Sequence, residues 1–444
     1  MSRIFRRVQV AGLALVGAAS VLGLGLTGCF GSSSSTNGGH DAGSGGFEGG
    51  TLDGGAGDSA PADASPGDAS DGGMGASEGG GGPAAPAPGT CVPTGSMSTG
   101  RTFSLYASLP GGKVLVAGGD TAAASTTAEV YDPTTGTFAP TGSLSTGRWG
   151  YPNPLVALPN GHLLVAGGTD LSCSTPVSSA ETFDPTTGTW ATTGALGVAR
   201  FNPVTVALGD GRVLVRGGYG TLSGTCGTVT SNALTSAELY DPAAGTFAPA
   251  GDAATPRAAA AAALLPGGDA LIVAGEQYGN SPFNATAEVF GTGADGGTGF
   301  VWSGALPGTA GYGYAFVLPD GKALVNSAYA GGTTSYFDPS TDTFSTAPAD
   351  PISGGGGCGI QLKSGDVFLA TGWSAGQPTA LTEVFQATSA TWVATGSLST
   401  ARSVCSIAEL PDGNVLVAGG YDTTGKPLAT AEVCNPQPST TPGG

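Results

Sequence analysis

Histidine is almost missing from this chain: two residues in 444, His40 and His162. That excludes a histidine-rich metal centre, an H-E-x-x-H zinc site and a serine nucleophile served by a nearby imidazole base. Basic residues are scarce as well, 14 Lys and Arg against 32 Asp and Glu, for a formal charge of −18. Nucleic-acid affinity comes largely from Lys and Arg neutralising phosphates, so no nucleic-acid partner is expected. The seven cysteines contain no C-x-x-C and no Cys/His spacing, which argues against a thiolate metal centre. After residue 90 no amphipathic helix of useful length can be read. What is abundant is glycine, 81 residues, in two very different settings.

The first setting is the N-terminal part. Arg3, Arg6 and Arg7 precede the apolar run VAGLALVGAASVLGLGL, which ends in Leu26-Thr27-Gly28-Cys29. A basic start and a short apolar run describe a secretory signal over residues 1–28. The ending LTGC resembles the bacterial lipobox. That resemblance implies cleavage before Cys29, lipid on its sulfur and an exported lipoprotein anchored to a membrane. Phe30, rather than Asp, follows the cysteine, which by analogy with enteric sorting implies the outer membrane. Residues 29–89 are then a tether of Gly, Ser, Ala, Pro and Asp, too poor in large apolar groups to offset its ordering entropy. His40 lies alone in that tether and reads as solvated.

The second setting is a repeat. LPGGKVLVAGG (109–119), LPNGHLLVAGG (158–168), LGDGRVLVRGG (208–218), LPGGDALIVAGE (265–276), LPDGKALVNSA (318–328), LKSGDVFLATG (362–372) and LPDGNVLVAGG (410–420) are seven versions of strand, glycine turn, strand. A second hairpin follows, as in AEVYDPTTGTF, AETFDPTTGTW and AELYDPAAGTF. One unit is therefore four short antiparallel strands, A to D. Units of roughly fifty residues in tandem read as propeller blades. The glycine pair after strand B and the D-P-x-x-G-x-[FW] hairpin resemble the kelch repeat. The expected fold is all-β, a seven-bladed kelch-type β-propeller over residues 90–436, with 437–444 a flexible tail.

The seventh unit stops at AEVCNP, with no room for strand D, while residues 91–98, CVPTGSMS, match the end of a unit. That segment is expected to complete the last blade and close the ring. Large residues face one another across each C–D hairpin, from Tyr131/Phe138 to Phe385/Trp392, and in the seventh blade the two slots hold Cys434 and Cys91. Cross-strand neighbours can form a disulfide. Setting Cys29 aside leaves an even number of cysteines in an exported chain. Cys173 and Cys226 fall in the B–C loops of adjacent blades two and three and could staple those loops as a disulfide. Cys358 and Cys405 fall in innermost strands, one residue out of register, and their pairing is left open.

Arg101, Arg148, Arg200, Arg257 and Arg402 recur at the start of strand A, and Glu129, Glu181, Glu238, Glu288, Glu383 and Glu432 at one slot of strand C. A ring of arginines can bind a sugar carboxylate; repetition at one slot points instead to a structural Arg–Glu pair. Arg216 stands where other blades have Ala or Asn, reaching either a ligand near the channel mouth or solvent. Tyr219, Tyr329, Trp373 and Tyr421 begin their B–C loops, all on one face of the disc. Aromatic faces beside polar groups suit sugars or an extended peptide.

The galactose-oxidase relatives of this fold resemble the repeats, but their copper-radical site needs two histidines and a Tyr-Cys crosslink, which this chain lacks. No catalytic residue, metal or cofactor is therefore expected. The reading is a membrane-anchored, non-catalytic module that recognises carbohydrate or protein through its loop face. The alternatives are a sialic-acid mutarotase-like enzyme working with Arg and Glu alone, and a self-associating surface-coat protein.

Overall fold

The computed structural model describes residues 85–438 apart from 120–124, 151–154, 170–174, 221–231, 278–283, 294–296, 308–312, 328–332, 352–356, 371 and 375–376. These residues form seven antiparallel sheets, one per repeat. Blade one shows the pattern: Leu105–Ser108, Val114–Ala117, Ala128–Asp132 and Thr137–Thr141, hydrogen-bonded in chain order. First strands of neighbouring blades touch one another, so strand A is innermost and strand D lies at the rim. The chain is a seven-bladed β-propeller.

Strand B explains why the repeat carries unbroken apolar runs rather than alternation. All four residues of Val114–Ala117, Val213–Arg216 and Val415–Ala418 are buried. Successive side chains point to opposite faces of the sheet, and each face packs on a different blade. Leu115 and Ala117 join Leu155, Leu163 and Phe183 of blade two, whereas Val114 and Val116 join Leu416 and Val433 of blade seven. Seven such apolar cores, one between each pair of adjacent blades, run round the ring.

The aromatic pairs occupy the C–D ladders in the expected register, with Tyr131 opposite Phe138, Phe183 opposite Trp190 and Tyr240 opposite Phe247. Their ring centroids lie 4.8–5.1 Å apart. One glycine of the recurring T-G-S/T-G-A string is sterically required. A Cβ on Gly142 would come within 2.4 Å of the Gly188 carbonyl oxygen in the next blade's C–D turn. Its amide donates to that same oxygen at 2.9 Å, and Gly95 and Gly194 make the same link to Gly136 O and Gly245 O.

Closure uses a shorter strand than the sequence suggests. The regular ladder covers Cys91–Pro93, with Cys91 opposite Cys434, Val92 opposite Val433 and Pro93 opposite Glu432. Backbone hydrogen bonds extend it on both sides, from Asn435 N to Thr90 O at 2.9 Å, from Thr94 N to Ala431 O at 3.0 Å and from Met97 N to Ala429 O at 2.9 Å. The Gly95 amide has already turned to Gly136 O in blade one, at 2.9 Å. A disulfide joins Cys91 to Cys434, and a second joins Cys358 to Cys405, whose Cα atoms are 5.8 Å apart. The latter links the innermost strand of blade six to the start of blade seven. Cys29, Cys173 and Cys226 lie outside the described residues.

Candidate functional site on the loop face

Five blades carry the same buried clamp. Guanidinium–carboxylate contacts join Arg101 to Glu129 (3.1 Å), Arg148 to Glu181 (2.7 Å), Arg200 to Glu238 (2.9 Å), Arg257 to Glu288 (3.3 Å) and Arg402 to Glu432 (2.9 Å). Each Nη1 also donates to two backbone carbonyls; for Arg148 these are Gly167 O at 2.8 Å and Ser179 O at 2.9 Å. The carboxylate in turn accepts amides from the D–A connection, such as Ser145 N on Glu181 at 2.7 Å. The arginines are at most 1% exposed, so they hold blades together and present no charge to the channel.

The arginines do not open strand A, as their spacing suggests. Four of them, Arg101, Arg200, Arg257 and Arg402, precede it by a short turn, because the second residue after the arginine adopts a left-handed backbone: Phe103 (φ 53°), Asn202 (φ 51°), Ala259 (φ 50°) and Val404 (φ 55°). Non-glycine residues pay for this conformation sterically, and the clamp on the preceding arginine supplies the restraint.

That turn builds a surface. Isolated bridges join Trp149 to Thr169, Phe201 to Tyr219 and Ser403 to Tyr421, so the D–A turns and the bases of the B–C loops meet at one end of the ring. An arc of five aromatic rings runs there through blades seven, one, two and three. Tyr421 and Phe103 have centroids 6.2 Å apart, Phe103 and Trp149 5.3 Å, Trp149 and Phe201 5.1 Å, Phe201 and Tyr219 6.4 Å. Tyr421 and Phe103 are half-buried; the other three rings are buried and support them.

Of the residues singled out in the sequence, Tyr421 therefore lies at the accessible end of this arc. Tyr219 lies at its covered end, 3% exposed, its hydroxyl donating to a Glu276 carboxylate oxygen. It supports the arc and offers no free ring face. Burial, then Glu276, raises its phenol well above the usual range. Trp373 begins a two-residue strand, Trp373–Ser374, paired with Gln377 and Pro378. Tyr329 lies outside the described residues. Phe103, Trp149 and Phe201 were not singled out, although each follows a repeated arginine by one or two positions.

Arg216 neither snorkels nor faces the channel mouth. It is fully buried, donates to Glu288 at 2.7 Å and to Thr255 O, and lies 5.8 Å from the Phe300 ring centre. Glu288 thus serves two guanidiniums, its own blade's Arg257 and Arg216 of the blade before. Burial, then the nearby Arg257, lowers Arg216 to about 9.

Blade six breaks the pattern in the opposite direction. Glu383 sits fully buried in the glutamate slot, with no guanidinium or backbone amide on either of its oxygens. In the clamped blades the buried Leu144, Leu196 and Leu398 each precede the arginine by four residues. Counting likewise from Ala347 reaches Pro351, and the amide-donating position after it is Pro348. The arginine position and the first amide-donating position are therefore both prolines. In their place Asp350, 8% exposed, lies beside Glu383 and accepts a 2.6 Å hydrogen bond from Asn326 Nδ2.

Residues 152–193 match the Kelch motif. No curated protein matches the chain by sequence. Among solved structures, a fungal alcohol oxidase of the AA5 family in complex with copper is similar in fold, with a TM-score of 0.58 at 14% identity. The match covers 79% of this chain and 76% of that one. The likeness shows the propeller and not the chemistry. Copper favours imidazole and thiolate donors. Among the described residues the one histidine is His162, in a blade-two turn, and all four cysteines are in disulfides. No cluster of three or more His, Cys, Asp and Glu occurs among them, so the residues present do not fit copper.

Proposed function

We propose that this protein is an interaction module whose ligand docks on the aromatic arc at the loop face, and that the ring is held to a membrane through lipid on Cys29. The observation that carries the reading is the half-buried pair Phe103 and Tyr421, backed by three buried rings across four blades. Ring faces held rigidly and partly wet suit carbohydrate or an extended peptide, since little side-chain entropy is lost on binding. The repeated arginines and glutamates, which an Arg/Glu sugar enzyme would need at its surface, are instead consumed in buried clamps.

The test is a glycan, cell-wall-polymer and peptide binding screen of the wild type against Phe103→Ala/Tyr421→Ala, with a Tyr329→Ala/Trp373→Ala variant as second arm. Loss of binding in the first variant, with the melting temperature little changed, supports the arc. Equal binding by wild type and both variants sinks the assignment. Lipid mass missing from Cys29 in the membrane fraction would sink the anchor independently.

A further inference from the structure

The N-terminal residues enter the ring through a turn built from two distant pieces of chain. In blades one, two, three and five Asp-Pro opens the C–D hairpin, and Asn435-Pro436 stands in that place in blade seven. The Asn435 side chain accepts the Gln437 amide at 3.0 Å, as Asp132 accepts Thr134 N at 2.9 Å. The second half of the turn comes from residues 87–90. Gly89 donates to Asn435 O at 3.2 Å, as Gly136, Gly188 and Gly245 donate to Asp132, Asp184 and Asp241 at 2.8 Å. Its φ of 69° matches their 66°, 69° and 67°, a left-handed conformation that favours glycine. A Cβ on Gly396 would strike the Gly89 carbonyl oxygen, as one on Gly142 would strike Gly188 O. Pro86 is buried as well, and its carbonyl accepts Asn435 Nδ2 at 3.1 Å.

Where this turn lies is a second observation. C–D turns sit beside A–B turns: Lys113 Nζ is 3.0 Å from Asp132 in blade one, and Ala387 N donates to Asp366 at 2.9 Å in blade six. The D–A turns and B–C loops, which carry the aromatic arc, are at the other end of the strands. The residues before 85 therefore join the ring on the face opposite the arc. A ligand held on the arc pulls against them through the thickness of the disc. The first position of the regular ladder after the turn is Cys91, bonded to Cys434. Tension arriving at residue 85 thus meets a covalent bond before it meets the pairing of Val92, Pro93, Thr94 and Met97.

We propose that the ring is a mechanical link, carrying tension from the tether at the blade-seven turn to a ligand on the opposite face, with Cys91–Cys434 as the lock that keeps the tether from unravelling it. The proposal rests on the reading of a tethered module whose ligand docks on the arc. Without the lock, a load on residue 85 acts on a few hydrogen bonds and then on blade one. Each apolar core lies between two blades, so a blade that leaves exposes the next, and release proceeds in chain order. With the lock, the load divides at Cys91–Cys434 and runs both ways round the ring, where no blade is terminal.

The experiment is optical-tweezers extension of the full chain, held by its N-terminal residues and by a click handle at Val198, 40% exposed in the connection from blade two to blade three. Cys91→Ala/Cys434→Ala should lengthen in steps of about 170 Å, the contour of a blade of roughly fifty residues at about 3.4 Å each. Wild type should pass the force of the first step without lengthening. Cys358→Ala/Cys405→Ala should resist as wild type does, since that disulfide does not hold the terminal strand. Should the unlocked ring fail to fold, Cys358→Ala/Cys405→Ala is held below its rupture force and given reductant, and it should lengthen by the same first step. An equal first step in wild type and Cys91→Ala/Cys434→Ala overturns the lock, as does an equal lowering of its force by Cys358→Ala/Cys405→Ala. The ligand screen reads the loop face separately: its failure removes the far end of the link, while the force result still decides the lock.

Discussion

Replacing Cys91 and Cys434 together by alanine tests what closes the ring. The disulfide spans a sequence separation of 343, against 47 for Cys358–Cys405. In the chain-entropy treatment, the stabilisation grows with the logarithm of the loop, giving about 6 kcal/mol for the long loop and about 4 kcal/mol for the short one. Unfolding entropy near 2.1 cal/mol/K per residue, over roughly 350 residues, converts these into melting-temperature drops of roughly 8 °C and roughly 5 °C. Alanine is chosen because Cys434, Cys405 and Cys358 are buried, and a serine hydroxyl there would add its own penalty. The assay is calorimetry of wild type, Cys91→Ala/Cys434→Ala and Cys358→Ala/Cys405→Ala without reductant. Two results refute the reasoning: drops within about 1 °C of zero for the long-loop variant, or a larger drop for the short-loop variant. The latter would place the stabilisation in native contacts between blades six and seven rather than in chain entropy.

Glu181→Leu leaves Arg148 buried without its carboxylate and should cost about 3–5 kcal/mol in denaturant unfolding; a cost below about 1 kcal/mol would mean the clamp is not structural. Arg216→Met removes the second guanidinium from Glu288 while Arg257 remains, so stability should stay level or rise by about 1–4 kcal/mol. A loss comparable to Glu181→Leu would contradict that. Burial, then Asp350, pushes the Glu383 carboxyl up to about 10, while the unfolded chain ionises near the ordinary value of about 4.3. The folded protein therefore holds the proton. Its contribution is complete at acid pH and drains away as pH rises from about 4.3 toward about 10. Glu383→Gln should flatten the decline in melting temperature between pH 5 and 9; parallel declines would show that the pair does not hold the proton.

The propeller was legible because its determinants are local and repeated. The glycine turn, the buried VLVA-type strand and the C–D aromatic pair each recur at fixed offsets, and a truncated last unit names its own completion at Cys91. The clamp was legible as a pairing of residue types, since Arg and Glu recur together. Its geometry was not, because the turn at Phe103, Asn202, Ala259 and Val404 has no common side chain to announce it. Arg216 was misread because its partner, Glu288, belongs to the next blade. The acid pair of blade six was missed for a related reason. Pro348 and Pro351 look like loop prolines until the count from Ala347 shows which donors they replace. Of the loop face, the B–C aromatic slots were visible, whereas Phe103, Trp149 and Phe201 sit on a different connection and meet Tyr421 and Tyr219 only through the bridges at the base of the loops.

The closing strand also sets an order of events in folding. Cys91–Pro93 precedes its partner Ala431–Cys434 in the chain by a separation of 343 at the disulfide, so it emerges long before its mate. Six complete blades can pair and stack as they appear, each from contacts close in sequence, while the N-terminal strand waits for a mate more than three hundred residues away. Until that mate arrives, two strand edges stand open to neighbouring chains. A waiting segment three residues long, with a proline as its third, is a poor template for such pairing. Once the mate has arrived, the covalent bond from Cys91 to Cys434 makes the joint permanent.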